Sequence, residues 1–414
     1  MLAAATPLVP RSTRAPALLR SPERPQLVEA AASLRDVVRR HAPRAGKDRT
    51  LAAEVLGALR GPGFFRMAAP RDIGGLAVDP VTEAEVIEEL AAADASTAWT
   101  AMIGISAVGS LATLCSQRAV KEIFGGQWPA AAGNATVTTQ TARRVEGGYT
   151  FTGTWSFMSG VRHSDWVFFG ARHSGTLTIG VAPTTCLSLT DERQVVGVAG
   201  TGSCSVTAQE LFVPDHRIIP FPPASRRGGP RHTVMEFSLT PTIGLLAGAA
   251  RHGLAAVREH VGAVRGAPQR PGDVSGRQHG QRALAELDIK LAAARAYAYQ
   301  TLTEVWTAAH AGSPPSKDEH VRLMAVMTHL ADVAAEITVT AMRLRGDDAA
   351  YLSDPLRRNA RDVIVAAQHV VLSERNYESY GQMLIGRARD PGTDAGRSSA
   401  IRSVPGLEPV GPRP

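Results

Sequence analysis

The sequence predicts a mostly α-helical α+β fold made of three consecutive parts, and two changes in residue spacing predict it. From 26 to about 124, apolar residues recur at helical spacing, and from about 125 to 222 they alternate with period two between turn residues. From 237 to about 385, long helical patterns return. Because strands and helices do not alternate, a doubly wound parallel sheet is disfavoured. The chain is expected to form helices, then a compact β module, then a helical bundle.

Composition excludes several classes of protein. The 414 residues include 45 Lys and Arg against 38 Asp and Glu, a net charge of +7. The basic residues are scattered among acidic ones, so nucleic-acid binding is not expected. No apolar run reaches the roughly 18–20 residues that span a bilayer, so no membrane segment is expected. Three cysteines without a Cys-x-x-Cys pair fit reduced thiols in a cytoplasmic protein, and neither a disulfide framework nor a zinc site.

Both ends of the chain differ in composition from the middle. The first 24 residues contain four prolines and no acidic residue before Glu23, which predicts a disordered extension more than a transit peptide. The Gly- and Pro-rich residues 389–414 predict a flexible tail. The intervening boundaries are an N-terminal helical domain over 25–125, a β domain over 126–235 and a C-terminal helical domain over 236–388.

Aromatic side chains crowd one predicted strand–turn–strand of the β module. Trp155, Phe157 and Ser159 alternate along it, so an extended strand would place them on one face, next to Gly160. Two aromatic planes followed by a hydroxyl suit a flat heteroaromatic ligand. The alternative, favoured by composition alone, is that Trp155 and Phe157 fill the core of the β module.

Two further segments carry candidate chemistry. The turn from Gly200 to Ser203 offers backbone N–H groups to a phosphate or polar ligand edge, although an ordinary β-turn has the same composition. Asp362 and His369 are seven residues apart, about two helical turns, so they are expected near one helix face. His369 is either a core histidine with one hydrogen bond or a general base whose pKa burial lowers.

Several catalytic signatures are missing from the sequence. It contains no His-Glu-x-x-His, no P-loop, no complete Gly-x-Gly-x-x-Gly and no Gly-x-Ser-x-Gly. Their absence argues against a metalloenzyme, direct use of a nicotinamide cofactor and a serine hydrolase of the common type.

Four segments in order resemble the acyl-CoA dehydrogenase superfamily: DASTAW (94–99), GYTFTGTWSFMSG (148–160), GTGS…LFVPDHR (200–217) and PLRRNARD…H (355–369). The resemblance extends from about 26 to 386. It implies a central β-barrel between the N-terminal helices and a C-terminal four-helix bundle, assembled as a homotetramer. Trp-x-Phe-x-Ser-Gly-x-x-His-x-x-Trp resembles the two-component flavin-dependent monooxygenases, which include aromatic hydroxylases and sugar nitrososynthases.

One departure separates the branches of this superfamily. Common acyl-CoA dehydrogenases carry a catalytic Glu in Tyr-Glu-Gly-Thr, whereas this register holds Gln368-His369-Val370. Thioester dehydrogenation is therefore disfavoured, and His369 matches the monooxygenases' histidine. An acyl-CoA dehydrogenase or flavin oxidase stays an alternative, and a non-catalytic scaffold member of the superfamily is a further one.

The resemblance implies roles for particular residues. His369 and Ser159 would be catalytic, with Ser159 bonded to the flavin N5 region, and Trp99 and His163 would contact substrate. Arg258 would reach a flavin phosphate across a subunit contact, although Val261 replaces the Phe of the superfamily's Arg-x-x-Phe. No metal site is expected. The full expected set of flavin-binding residues is Asn134, Trp155, Phe157, Ser159, Thr201, Ser203 and Arg258.

The implied function is a reduced-flavin-dependent monooxygenase that works through a C4a-hydroperoxyflavin. Its cofactors would be diffusible reduced FMN or FAD and molecular oxygen, and its partner would be a separate NAD(P)H:flavin reductase. It would hydroxylate a carbon or nitrogen of a small aromatic or amine-bearing metabolite in bacterial biosynthesis. Residues 105–110 (ISAVGS) lack the His that aromatic hydroxylases of this branch often carry there. Phenol activation by such a group is not expected, while amine oxidation or an indole-like substrate stays open.

Overall fold

The computed structural model describes residues 19–191, 195–223, 226–264, 278–345, 351 and 354–389. The predicted tail beyond 389 and residues 1–18 of the predicted disordered extension over 1–24 lie outside this part of the chain. Within the described end of that extension, Ser21 N donates to Asp79 Oδ2 over 2.8 Å and Arg24 begins the first helix, so these residues are ordered. Its helices are α1 (Arg24–Ser33), α2 (Arg35–Asp48), α3 (Ala53–Arg60), α4 (Pro80–Ala91), α5 (Ala95–Leu114), α6 (Gln117–Phe124), α7 (Pro230–Thr233), α8 (Pro241–Val264), α9 (Gln278–His310), α10 (Lys317–Leu344), α11 (Pro355–Ala366) and α12 (Arg375–Arg389). Its strands are β1 (Ala131–Asn134), β2 (Thr141–Val145), β3 (Gly148–Met158), β4 (Trp166–His173), β5 (Thr176–Pro183), β6 (Ser188–Thr190), β7 (Cys204–Pro214) and β8 (Ile218–Pro220).

Helix α5 lies at the centre of the helical region. Asp94 caps its N-terminus by accepting a hydrogen bond from Thr97 N over 2.9 Å. The helix is apolar on nearly every side because α4, α8, α11 and strand β1 all pack around it. One continuous core therefore joins the N-terminal helices to the C-terminal ones.

The strands form one mixed sheet in the order β6-β7-β3-β2-β4-β5-β8, with β1 paired in parallel to β4. Most other pairs are antiparallel. Side chains of β3, β4 and β7 enclose a second core, whose largest members are Trp155, Phe151 and Phe169. The predicted β domain between two helical regions is confirmed.

The C-terminal region is a bundle in which α10 packs against α8, α9, α11 and α12. A capping box begins α10: Ser316 Oγ accepts from Glu319 N, and the Glu319 carboxylate accepts from Ser316 N over 2.8 Å. Asp354 caps α11 through Leu356 N over 2.9 Å, with Pro355 in the first turn. These caps follow directly from the local sequence.

Two helices, α5 and α10, are long and apolar enough by composition to cross a membrane, which the sequence expectation did not foresee. In their most apolar windows, 78% and 61% of residues are buried inside the protein. Because buried core helices pass the same test, their composition is weak evidence for a membrane segment.

Candidate active site

A cavity of about 170 Å³ lies where α5 meets the β domain and the C-terminal bundle. Among its described lining residues none carries a formal charge when histidine is neutral. Those residues are Trp99, Met102, Ile103, Ser106, Ala107, Ser110, Gly133, Phe168, Ser238, Leu239, Thr242 and His369.

One face of α5 supplies half of this lining. Counted forward from Trp99, positions 103, 106 and 110 recur at intervals of three and four residues and so lie on one side of the helix. Ser106 Oγ donates to Ser238 O over 2.8 Å, and Ser110 Oγ donates to Ser106 O over 2.8 Å. The hydroxyl protons on this face are thus taken up by backbone carbonyls.

The opposite wall depends on a glycine. A Cβ on Gly133 would overlap the ring of Phe168, which lies directly against its backbone. The parallel pairing of β1 with β4 brings these two residues into register. Glycine is therefore required here for close packing, and it fixes the position of one aromatic wall.

His369 closes the cavity beside Trp99. It follows the end of α11, and its ring meets the Trp99 ring edge-on, with centroids 5.6 Å apart and planes at 71°. Val371 N donates to His369 Nδ1 over 3.5 Å, which favours the neutral tautomer with its proton at Nε2. Burial lowers the His369 pKa below its ordinary value of 6.5, so the ring is neutral at physiological pH. The structure thus brings together one residue expected to bind substrate and one expected to be catalytic.

The sequence spacing predicted that Asp362 and His369 lie near one helix face, but the structure does not place them on a common face. Helix α11 ends at Ala366, so helical periodicity does not continue to His369. The Asp362 carboxylate instead accepts from Ser96 Oγ over 3.0 Å and from Val198 N over 2.6 Å. Burial, with a contribution from the nearby Asp94 charge, raises the pKa of Asp362 to about 7. Asp362 therefore joins α11 to α5 and to the turn before Gly200.

The expectation that Trp155 and Phe157 face the same ligand is wrong. The pairing of β3 with β7 shifts between Trp155 and Met158, and Phe157 has a φ of 59°, so the alternation of side chains breaks at this point. Trp155 is 1% exposed, and its Nε1 donates to Gly170 O over 2.6 Å inside the sheet core. For Trp155 the core-filling alternative holds. Phe157 is 63% exposed.

The exposed Phe157 ring borders a small cleft lined also by Asp191, Val195, Ser203, Cys204 and Ser205. Ser159 follows in the same turn, and Gly160 N donates to Thr201 O over 2.9 Å, which ties this turn to the Gly-rich turn. The Thr201 hydroxyl is fully buried and has no hydrogen-bond partner in the described part of the chain. The structure thus places Phe157 and Ser203 on one cleft, with Ser159 and Thr201 in the adjoining turns.

Cavity and cleft are neighbours. Asn134 Nδ2 donates to Ser156 O over 2.9 Å next to the cleft, while the preceding Gly133 lines the cavity. A Cβ on Gly160 would lie 3.9 Å from the Thr100 methyl, one residue from Trp99. Strand β1 and the turn at Gly160 therefore each run close to residues of both sites.

His163 and Arg258 are not among the described lining residues of the cavity or the cleft. The His163 Nε2 accepts from Leu51 N over 3.4 Å, so the ring packs between the β domain and the N-terminal helices. Burial, with the Arg162 and Arg60 charges, lowers the pKa of His163 to about 4. The predicted substrate contact of His163 therefore needs correction, since it is not among the described lining residues of the cavity. Arg258 is exposed on α8, and its predicted flavin contact stays a prediction.

Sequence reasoning missed most of the cavity lining. Helical periodicity counted from Trp99 would have found the α5 positions, including Ser106 and Ser110. Gly133, Phe168 and Thr242 left no comparable signal, because they reach the cavity through contacts between distant segments.

Two family models match the chain. The acyl-CoA dehydrogenase N-terminal domain matches residues 22–126, and the acyl-CoA dehydrogenase C-terminal domain matches residues 243–374, together more than half of the chain. The chain belongs to the acyl-CoA dehydrogenase family. The fold expected from the resemblance is thereby confirmed.

Relatives of this acyl-CoA dehydrogenase family member include monooxygenases. An indole-3-acetate monooxygenase of Pseudomonas putida is 29% identical over 84% of this chain and 90% of its own length. The oxygenase component of an FADH2-dependent resorcinol hydroxylase of a Rhizobium species is 30% identical over 57% of this chain and 62% of its own length. The solved structure of XiaF from a Streptomyces species, in complex with FADH2 and glycerol, superimposes with a TM-score of 0.80 at 24% identity, covering 88% of this chain and 96% of XiaF. The predicted resemblance to the flavin-dependent monooxygenase branch is confirmed.

Proposed function

We propose that this family member is the oxygenase component of a two-component flavin-dependent monooxygenase that hydroxylates an aromatic ring held in the cavity. The observation that carries the proposal is the neutral His369 beside Trp99 at a cavity whose described lining includes no carboxylate. Removing the α-proton of a thioester needs a base such as the Glu of the common dehydrogenases. A cavity with one neutral imidazole and no carboxylate among its described lining residues suits oxygen transfer better than it suits removal of such a proton.

We assign the residues around Phe157 to the flavin ring. An exposed aromatic side chain held at positive φ costs about 1–3 kcal/mol of backbone strain, and such strain is concentrated at functional sites. The Ser203 side chain on the same cleft supplies a polar group for a heteroatom of a flat ring, whereas the Thr201 hydroxyl lies buried behind it. Phe157 would pack against the ring face, and Ser159 would donate its hydroxyl proton to the ring edge.

When bound, reduced flavin supplies the electrons that activate dioxygen. The chain's own residues then have two tasks. The apolar walls around Trp99, Met102 and Phe168 exclude water, which otherwise diverts activated oxygen to hydrogen peroxide. His369 would hold a proton at Nε2 and donate it to an oxygen atom that reaches the cavity.

Partners and assembly follow the same proposal. A separate NAD(P)H:flavin reductase would deliver reduced FMN or FAD, in keeping with the naming of the Rhizobium relative as an oxygenase component. The chain would form a homotetramer, in which the exposed Arg258 reaches the flavin phosphate of a neighbouring subunit. We place the enzyme in the cytoplasm of a bacterium, in a biosynthetic pathway.

The decisive experiment mixes the purified chain anaerobically with reduced FMN and, separately, with reduced FAD, then admits oxygen. The absorbance of oxidised flavin should return much more slowly than in free solution, and the slower of the two identifies the cofactor. The proposal is overturned if the absorbance of oxidised flavin returns at the free-flavin rate with both cofactors, whether or not ring compounds are present.

A variant tests the role of His369. His369→Ala should lower coupled product formation by about 10²–10⁴-fold, the usual contribution of a general acid–base group, while reduced-flavin binding survives. His329→Ala, at an exposed position of α10, is the matched control and should leave product formation unchanged. Unchanged turnover in His369→Ala would remove this residue from the mechanism.

A further inference from the structure

We infer that the cavity takes an uncharged aromatic molecule of one or two rings and rejects ring compounds that carry a carboxylate or an ammonium group. This inference rests on the proposed function and narrows its substrate class.

The described lining of the cavity offers no charge that could balance a charged ligand. The only titratable side chain among the described lining residues is His369, which is neutral at physiological pH. A buried carboxylate or ammonium without a partner loses several kcal/mol of hydration that an apolar wall does not return. Among the charged side chains on the flanking elements, Asp94 and Arg358 pair with each other at 3.5 Å.

The hydroxyl groups of the cavity do not replace a charge. Ser106 and Ser110 donate their protons to backbone carbonyls, and Thr242 Oγ1 donates to Met102 Sδ over 3.6 Å. A carboxylate needs donors, and two of these three hydroxyls have none left to give. The Trp99 indole N–H, which has no partner among the described residues, and the His369 Nε2 proton are neutral donors, so neither supplies the positive charge that would balance an anion. The Thr242 hydroxyl has only a weak thioether acceptor and is the one most easily turned toward a neutral polar atom of a ligand.

The volume of the cavity limits the size of its ligand. The volume of about 170 Å³ slightly exceeds the roughly 150 Å³ of an apolar protein cavity known to bind benzene, and it falls short of the roughly 300 Å³ typical of drug-sized ligands. A single ring or a small fused pair fits, whereas a nucleotide-linked sugar or an acyl-CoA does not. Gly133 and Phe168 set this limit on one side.

The Pseudomonas relative sharpens the inference, because its name specifies an anion, indole-3-acetate. If this chain shared that preference, a cation would be expected on the cavity wall. The described lining supplies none, so the uncharged parent ring is expected here.

Binding of three matched compounds tests the inference without flavin or oxygen. Calorimetric titration of the full chain with indole, indole-3-acetate and tryptamine separates ring from charge. Indole should bind at least about tenfold more tightly than either charged compound, a difference of about 1.4 kcal/mol. Equal or tighter binding of indole-3-acetate or tryptamine overturns the inference, as does failure of all three to bind.

A variant that adds a charge provides an independent arm. Ser106→Lys places an ammonium group at the cavity and should shift the preference toward indole-3-acetate by about tenfold or more. Ser110→Lys, one turn further along α5, serves if the first variant does not fold. Ser33→Lys on the exposed side of α1 is the control and should bind all three compounds as the parent chain does. An unchanged preference in a folded cavity variant contradicts the inference.

The outcome is separable from that of the proposed function. Slow reoxidation of bound flavin does not depend on which ring compound is preferred, so it can be observed while the charge preference fails. If a charged ring compound is hydroxylated faster than indole, the monooxygenase proposal stands and the uncharged-substrate inference falls.

Discussion

The buried side of α4 and the cavity side of α5 treat charge in opposite ways. On α4, Glu83 and Glu88 are almost completely buried, yet each is paired. Arg231 binds Glu83 and donates to Val78 O over 2.8 Å, and both residues are buried. The described lining of the cavity holds no such group.

Glu88 shows how completely a buried carboxylate is satisfied elsewhere in this fold. It accepts from Arg251 over 2.7 Å, from Arg295 over 2.9 Å and from the Tyr299 hydroxyl over 2.7 Å. These partners come from α8 and α9, so the network joins α4 to the C-terminal bundle. The fold can therefore bury charge wherever it supplies partners, and the uncharged cavity is a specific property of that site.

The largest expected effect comes from breaking the charged pair. Glu83→Leu leaves the buried Arg231 without a carboxylate and should lower the unfolding free energy by about 3–5 kcal/mol, measured by urea denaturation. The double variant with Arg231→Met should recover much of that loss, because neither charge then remains buried. If the double variant is as unstable as the single one, the pair does not act as described.

The second-largest effect on stability is expected at the wall of the uncharged cavity. Gly133→Ala forces a methyl group against the Phe168 ring and should cost about 1–3 kcal/mol of stability through overpacking, while indole binding weakens as the wall shifts. Gly57→Ala, in α3 with open space around it, is the control and should stabilise the chain slightly. Unaltered indole affinity in folded Gly133→Ala would place the ligand elsewhere.

A smaller effect tests how the fold treats a buried histidine. Unfolded His163 takes up a proton near pH 6.5, whereas the folded ring resists protonation down to about pH 4. Its contribution is therefore complete above pH 6.5 and is lost as the pH falls toward 4. His163→Gln should flatten this decline in unfolding free energy by about 1 kcal/mol per pH unit. The exposed His329→Gln should leave the slope as it is, and an equal slope in both variants contradicts the interpretation.

The smallest effect is expected at an exposed ion pair. Arg282 and Glu286 lie 2.7 Å apart on the surface of α9. Water and salt already screen these charges, so Glu286→Gln should leave the urea midpoint essentially unchanged. A loss comparable to that of Glu83→Leu would mean that burial does not explain the difference between the two pairs.

Sequence spacing predicted the candidate site only in part. Trp99 and His369 were both singled out, and they meet at the cavity. The prediction for Trp155 and Phe157 was wrong because alternation assumes a regular strand, and the register shift turns one ring inward and the other outward. His163 shares a sequence motif with Ser159 but packs toward Leu51, which no local pattern reveals.

By itself the sequence determined the succession of helices, sheet and helices, the caps at Asp94, Asp354 and Ser316, and membership in the family. Each depends on residues close together in the chain, or on motifs in a fixed order. Tertiary structure alone decided the cavity wall, the lowered pKa of His369 and the raised pKa of Asp362. Ser96 and Asp362 are 266 residues apart, and desolvation of that carboxyl exists only once distant segments have packed together.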